Sequence, residues 1–483
     1  MGLTLPKLLM FDLLNVFFAF IILAILLLLS VYIKQKIKLL QKLYLPESII
    51  AGAIALLLGT EVLGKIAFQI NPHTSLINGI FPDTMQQIWL QCPGVLINIV
   101  FAALFLGENI PNPQDIWRKA SPQVAFGQSL AWGQYVFGIL TVTFILIPLF
   151  DIDPLAATLI EIGFEGGHGT AAGMTATLNK LGFPEGGSLA LGLATVGIIT
   201  GIVGGTWLIQ WGQKQGHIDR SENVQPEITP EKITATAESA RQKKIIMGNV
   251  GIDVLSLNCG FTAIAIALGW LIIQGLSWLE AVSWGKNGLE LIEAVPLFPM
   301  ALIGGIILQV TMNKLGIDYL IERQMQERIG GVAIDLVIVT AIAGINLTIL
   351  GDNLGVFVTL SLVGIIWNIF AFVVIAPRII PIHWFARGIG DMGQSMGVTA
   401  TGILLIRMVD PENKTAAFES FAYKQLFFEP IVGGGLFTAA APVLIVQFGS
   451  VSVLVLTSAL LIFWLIFGIV NYRNIQQSSG KTN

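Results

Sequence analysis

The sequence predicts an all-α polytopic membrane protein: two inverted five-helix repeats, each with a re-entrant hairpin, plus an extra C-terminal helix, about 11 transmembrane helices in all. Three observations predict it. The apolar residues are gathered in blocks of spanning length, the basic residues fall in alternate gaps between the blocks, and three short motifs recur in the same order in the two halves.

Of the 483 residues, 54% are hydrophobic and only 12% are charged, about half the charge of an average soluble domain. A hydrocarbon layer of about 30 Å is crossed by a helix of about 20 apolar residues. Charge-free windows that long run over residues 13–33, 86–106, 121–150, 188–213, 254–279, 294–313, 353–377 and 450–472. Three more windows carry isolated acids: 45–63 with Glu47 and Glu61, 329–351 with Asp335, and 425–449 with Glu429. Each window is apolar on every side, unlike the alternating strands of a β-barrel. A helix also satisfies its own backbone in lipid. Cys92 and Cys259 lie in or beside spans, so no disulfide framework is indicated. The first apolar run has one early lysine, Lys7, and no small-residue cleavage site after it, so it reads as a retained helix.

Cytoplasmic loops collect Lys and Arg. With the N-terminus outside and the C-terminus cytoplasmic, all but four of the 26 basic residues fall inside, Lys424 among them; Lys7, Lys65, Lys180 and Lys286 remain outside. That arrangement requires two segments, about 154–182 and 381–408, to turn back without crossing. Both are rich in Gly, Ala and Thr and lack a clean apolar stretch. Irregular backbone at membrane depth is tolerated only where protein or a watery cavity covers it. The chain then divides into an N-terminal repeat, 1–213, a cytoplasmic linker, 214–244, an inverted C-terminal repeat, 245–449, and an eleventh span with a tail, 450–483. The linker has balanced charge and two prolines, Pro226 and Pro230, as an exposed tether does.

The recurring motifs are Gly94–Val100 with Gly331–Val337, Gly169–Gly173 with Gly397–Gly402, and Ile202–Gly205 with Ile431–Gly434. Five spans per half place the second half upside down. Inverted repeats with paired broken segments are the architecture of secondary transporters, with the binding site where the breaks meet near the midplane.

The first break reads Gly166-Gly167-His168-Gly169-Thr170. Its glycines let the backbone approach a ligand closely, and the helix after them presents free N–H groups suited to a carboxylate. Glycines packing one helix against another are the plainer reading. His168 either donates to a substrate or caps the tip; with Glu165 it offers only two ligands, too few for a metal site. The second break carries Gln394, Ser395, Gly397, Thr399 and Thr401, whose hydroxyls and amides can hold the far end of a small polar solute. Arg407 is either a partner for a carboxylate or a surface ion pair with Asp410. Asn98 and Asp335 occupy matched places in the two repeats and are the candidate sodium ligands, an acid within a span being a functional candidate by default.

At these residues the chain resembles the bacterial sodium/glutamate symporter family. The resemblance rests on Gly166–Thr170 and on Leu45-Pro46-Glu47-Ser48-Ile49-Ile50-Ala51-Gly52, and it spans the five-plus-five core. It implies a homodimer in the bacterial inner membrane that imports L-glutamate with sodium ions by an elevator motion. It implies no cofactor and no nucleic-acid partner. The second hairpin, the linker and the eleventh span depart from the family pattern, which leaves substrate and ion count open. Another small anion, such as a dicarboxylate or a different amino acid, is the alternative cargo. A channel remains a further alternative; an intramembrane enzyme would need a nucleophile–base pair or a metal cluster, and neither pattern is present.

Overall fold

The computed structural model describes residues 12–42, 45–108, 113–218, 253–287, 292, 295–412 and 414–479. Most of the expected linker therefore lies outside the described residues. Among those residues there are helices and no strands, and nine helices are long and apolar enough to cross a membrane. We label α1 (Leu13–Lys36), α2 (Glu47–Ile70), α3 (Asp83–Ala103), α4 (Ala120–Phe150), α5 (Gly167–Lys180), α6 (Gly186–Lys214), α7 (Val254–Val282), α8 (Leu297–Leu315), α9 (Arg323–Ala343), α10 (Leu354–Ile379), α11 (Trp384–Val409), α12 (Ala417–Phe428) and α13 (Leu436–Ser479).

The difference from eleven expected spans has two physical causes. The eighth window forms α9, a 21-residue helix, but Arg323, Glu327, Arg328 and Asp335 make it too charged to qualify on apolarity. The tenth and eleventh windows meet inside α13, which is kinked at Gly449 (φ 81°, ψ 155°). The tenth span is also not the continuous run 425–449. Its helix stops at Phe428 and resumes at Leu436, and Gly433 and Gly434 between them adopt φ of 71° and 102°. Only glycine takes such angles without strain.

Local chemistry accounts for the other irregularities. The Asp12 side chain accepts from the Leu14 N–H and caps α1, whose last turn carries Lys34 and Lys36. In α4 a π-helical turn, Val142–Leu146, precedes Pro148, and in α10 another, Ala371–Ile375, precedes Pro377. Proline lacks the N–H that the carbonyl four residues earlier needs, and a widened turn re-routes the ladder. The same device thus appears in both α4 and α10.

The helices pack in two groups. In one, α3 lies against α7, α8 and α9, with α1 and α2 alongside. Small residues let these helices approach closely: the Cβ position of Gly304 is 2.1 Å from the Ala265 carbonyl oxygen. The other group holds α4, α6, α10, α11, α12 and α13 around the largest apolar core. Short α5 belongs with α6 and also touches α3 and α9. Outward positions such as Leu13, Leu28, Val451 and Ile466 are large, apolar and exposed, as a lipid-facing surface requires.

Both segments expected to turn back are broken near their middles. The first descends as Pro154–Thr158 and the π-helical turn Glu161–Glu165, breaks at Gly167 (φ 66°), and continues as α5. Gly163 meets Ala190 and Leu193 of α6, His168 bonds Thr195, and Thr175 meets Gly187. After the break the chain therefore runs back toward the start of α6. The second segment is α11, in which Gly397 and Val398 leave the helical region. The Cβ position of Gly393 is 3.0 Å from the Gly402 Cα, and that of Gly390 is 2.4 Å from the Ile406 Cδ1. The two arms of α11 therefore lie antiparallel, side by side, with glycines at the crossing.

Candidate functional site

The two breaks meet. The Cβ position of Gly167 lies 2.2 Å from Cγ1 of Val398, so the valine methyl occupies the place of a side chain at 167. Beside this contact is a cavity of about 230 Å³. One wall is apolar, formed by Ile97, Val100, Phe101 and Leu104 of α3 with Ile334 and Ile338 of α9. The other is polar and comes from the breaks: Glu165, Gly166, His168 and Gly169 from the first, Val398, Thr399 and Ala400 from the second, and Glu429 and Gly433 from the gap in the tenth segment.

Of the residues expected to bind solute, Gly166, His168, Gly169 and Thr399 line this cavity, and Gly167 touches the opposing tip. Thr170, Gln394, Ser395, Gly397 and Thr401 are buried just behind the polar wall. Asn98 and Asp335 are placed differently. Their neighbours Ile97 and Ile334 point into the cavity, and the next residue on a helix is rotated by about 100°. Asn98 donates to the Gly94 and Val95 carbonyls of its own helix, and Asp335 is exposed. Arg407 is exposed too, while the Asp410 carboxylate accepts from the Lys414 and Thr415 N–H groups.

The His168 ring is fixed from behind. The Thr195 hydroxyl donates to the Leu191 carbonyl, so in the neutral imidazole Nε2 donates to Thr195 Oγ1 at 2.9 Å. Nδ1 is left as an acceptor without a partner among the described residues. The free ring nitrogen can therefore accept a hydrogen bond but not donate one.

Five buried ionisable groups around the cavity were not among the expected site residues. Glu161 accepts from the Tyr135 hydroxyl at 2.6 Å, the Thr438 hydroxyl at 2.7 Å and the Gly433 N–H at 2.8 Å. It thereby ties the first break to the gap in the tenth segment. Glu165 is one turn further on, and neither of its carboxylate oxygens has a hydrogen-bond partner among the described residues. Lys424, counted above among cytoplasmic loop residues, is instead fully buried on α12, the helix that precedes the break in the tenth segment. Its ammonium is 3.1 Å from Asp391, donates to Gln394 Oε1 at 2.6 Å and sits over the Phe428 ring. Glu429 accepts from Thr399 at 3.0 Å and from Gln394 at 3.4 Å. A chain of polar contacts thus runs from Asp391 through Lys424, Gln394 and Glu429 to Thr399, joining both arms of α11. Among the described residues no group of three or more His, Cys, Asp or Glu could hold a metal ion of the kind those residues ligate together.

Residues 125–411 match the profile of the sodium/glutamate symporter family. The chain belongs to that family. Membership makes this symporter a sodium-coupled glutamate transporter with multiple membrane-spanning helices, and not an enzyme. The matched stretch contains both tips but stops short of Lys424 and Glu429. No individual curated protein and no solved structure matches the chain.

Of the five overlooked groups, Glu429 carried a signal, since it is an acid inside a spanning window. Glu161, Glu165 and Asp391 sit in the glycine-rich segments themselves. Lys424 follows a loop rich in charge, and nothing local marks it as buried.

Proposed function

We propose that this symporter imports L-glutamate with sodium ions into a bacterial cell, across the inner membrane, as a homodimer with its N-terminus outside and C-terminus cytoplasmic. The two interrupted segments act as re-entrant hairpins within inverted repeats. The observation that carries the reading is the cavity where the two tips meet, polar on the side of the breaks and apolar on the side of α3 and α9. The first amides of α5 and of the second arm of α11 take the substrate carboxylates, as helix N-termini do. His168 Nδ1 and Glu429 are acceptors that the ammonium group can use. The cation role expected of Asn98 and Asp335 passes to groups inside the cavity.

An elevator motion suits this division. The group around α4, α6 and α11 carries the polar wall residues, and in the cavity it meets α3 and α9 through apolar side chains that form no hydrogen bonds. A sliding contact of that kind loses few hydrogen bonds. Electrostatics add the cation: glutamate enters with net charge −1, opposed by roughly 2.3 kcal/mol per 100 mV, and at least two monovalent cations make the step favourable.

Uptake of radiolabelled glutamate by the purified protein in liposomes tests the proposal. Saturable uptake that requires an inward sodium gradient is expected, with aspartate and citrate as competitors to set the substrate range. Accumulation without sodium, or none of glutamate, overturns it; uptake that never saturates would indicate a channel.

A further inference from the structure

Three buried oxygen-bearing side chains around the first break are acceptors with nothing to accept. The Glu165 carboxylate, the Thr170 hydroxyl and the Ser395 hydroxyl all lack hydrogen-bond partners among the described residues, and all three are at least nine-tenths buried. Ser395 lies beside Glu165. Glu165 and Thr170 both face the glycine pair of the broken tenth segment: the Cβ position of Gly433 is 3.6 Å from Glu165 Cγ, and that of Gly434 is 2.6 Å from Thr170 Oγ1. A hydroxyl next to a carboxylate ordinarily donates to it, and that charge-assisted bond is among the stronger ones available. The Ser395 hydroxyl lies within reach of the Glu165 carboxylate but is not aligned for that bond. The arrangement leaves three buried oxygen-bearing side chains without a formed hydrogen bond, next to backbone freed from a helix.

We propose that Glu165, Thr170 and Ser395, with backbone carbonyls of the 433–434 break, bind one of the coupling sodium ions. A hard cation takes oxygen ligands from carboxylates, hydroxyls and carbonyls, and unwound backbone in discontinuous membrane helices is where transporters find the carbonyls. This assignment rests on the reading of the chain as a sodium-coupled carrier and deepens it. The ion draws together the first tip, the second tip and the tenth segment, and Glu165 also lines the solute cavity. Sodium therefore organises the wall that the substrate meets, and substrate affinity depends on sodium being present first.

The test uses full-length protein in detergent without glutamate, its melting midpoint followed as sodium chloride replaces potassium chloride at constant ionic strength. Sodium is expected to raise the midpoint of the wild type. Thr170→Val and Ser395→Ala, which preserve or shrink side-chain volume, are expected to melt as the wild type does in potassium but to need at least tenfold more sodium for half of the shift. Glu165→Gln is expected to abolish the shift. Unchanged sodium half-saturation in both hydroxyl variants, or no sodium effect on the wild type, overturns the site. A Glu165→Gln protein that keeps its sodium response but no longer distinguishes glutamate from glutarate also overturns it, and assigns Glu165 to the substrate ammonium instead. If the sodium shifts behave as expected but glutamate is not taken up in liposomes, the site stands and the substrate reading falls.

Discussion

The Lys424 ammonium and the Asp391 carboxylate stand 3.1 Å apart with both side chains wholly excluded from solvent. Gln394 and the rings of Phe421 and Phe428 also lie against the cation. Removing one partner of such a pair strands the other charge, at about 3–5 kcal/mol, whereas neutralising both together is far milder. Lys424→Met is therefore expected to lower the stability of the detergent-purified protein by that amount. The Lys424→Met/Asp391→Asn double variant should recover most of it in the same melting experiment. Additive losses would show that the two groups do not act as a pair.

Gly167 combines a positive φ with a neighbour in the way. An alanine there would adopt a left-handed conformation, at roughly 1–2 kcal/mol, and would drive its Cβ into Val398. Gly167→Ala is expected to lose most sodium-driven uptake while still reaching the membrane. Adding Val398→Ala removes the clash but not the backbone strain, so partial recovery of the uptake rate is the expected result.

Glu161 is held by three donors, and the Tyr135 hydroxyl is one of them. Tyr135→Phe should cost about 1–3 kcal/mol in melting experiments, the usual loss when a charged acceptor is deprived of a buried partner. Glu161→Gln should cost at least as much, because an amide has one acceptor oxygen where the carboxylate uses two. Both variants should retain the wild-type sodium half-saturation, since Glu161 already has its partners within the protein.

Asp335 and Asn98 flank the cavity-facing isoleucines without facing the cavity themselves. Asp335→Asn and Asn98→Ala are expected to keep uptake and its sodium dependence within about twofold, as substitutions away from buried features shift free energies by no more than about 0.5 kcal/mol. A large rise in sodium half-saturation in either variant would restore the cation role to these positions.

The glycine-rich tips were legible in the sequence because their chemistry is local: Gly166–Thr170 and Ser395–Thr401 each gather glycine and hydroxyl residues within one short window. Helix existence was equally legible from apolar block length. Direction around a helix was not. Asn98 and Asp335 stood out as polar residues within spans, and only packing shows that Ile97 and Ile334 take the inner positions. The broken tenth segment escaped for a related reason. The pair Gly433–Gly434 looks like Gly204–Gly205, yet the latter sits within the unbroken helix α6. What separates them is distant in sequence, namely Glu161 reaching the Gly433 N–H, and no window along the chain contains both partners. Lys424 was misplaced in the same way, since its counter-charge Asp391 lies on another element.

The methyl of Val398 seated where position 167 would carry a side chain has a mechanical meaning. Position 167 must stay bare for that methyl to keep its seat, so the fit of one loop against the other is set by the smallest residue in the chain.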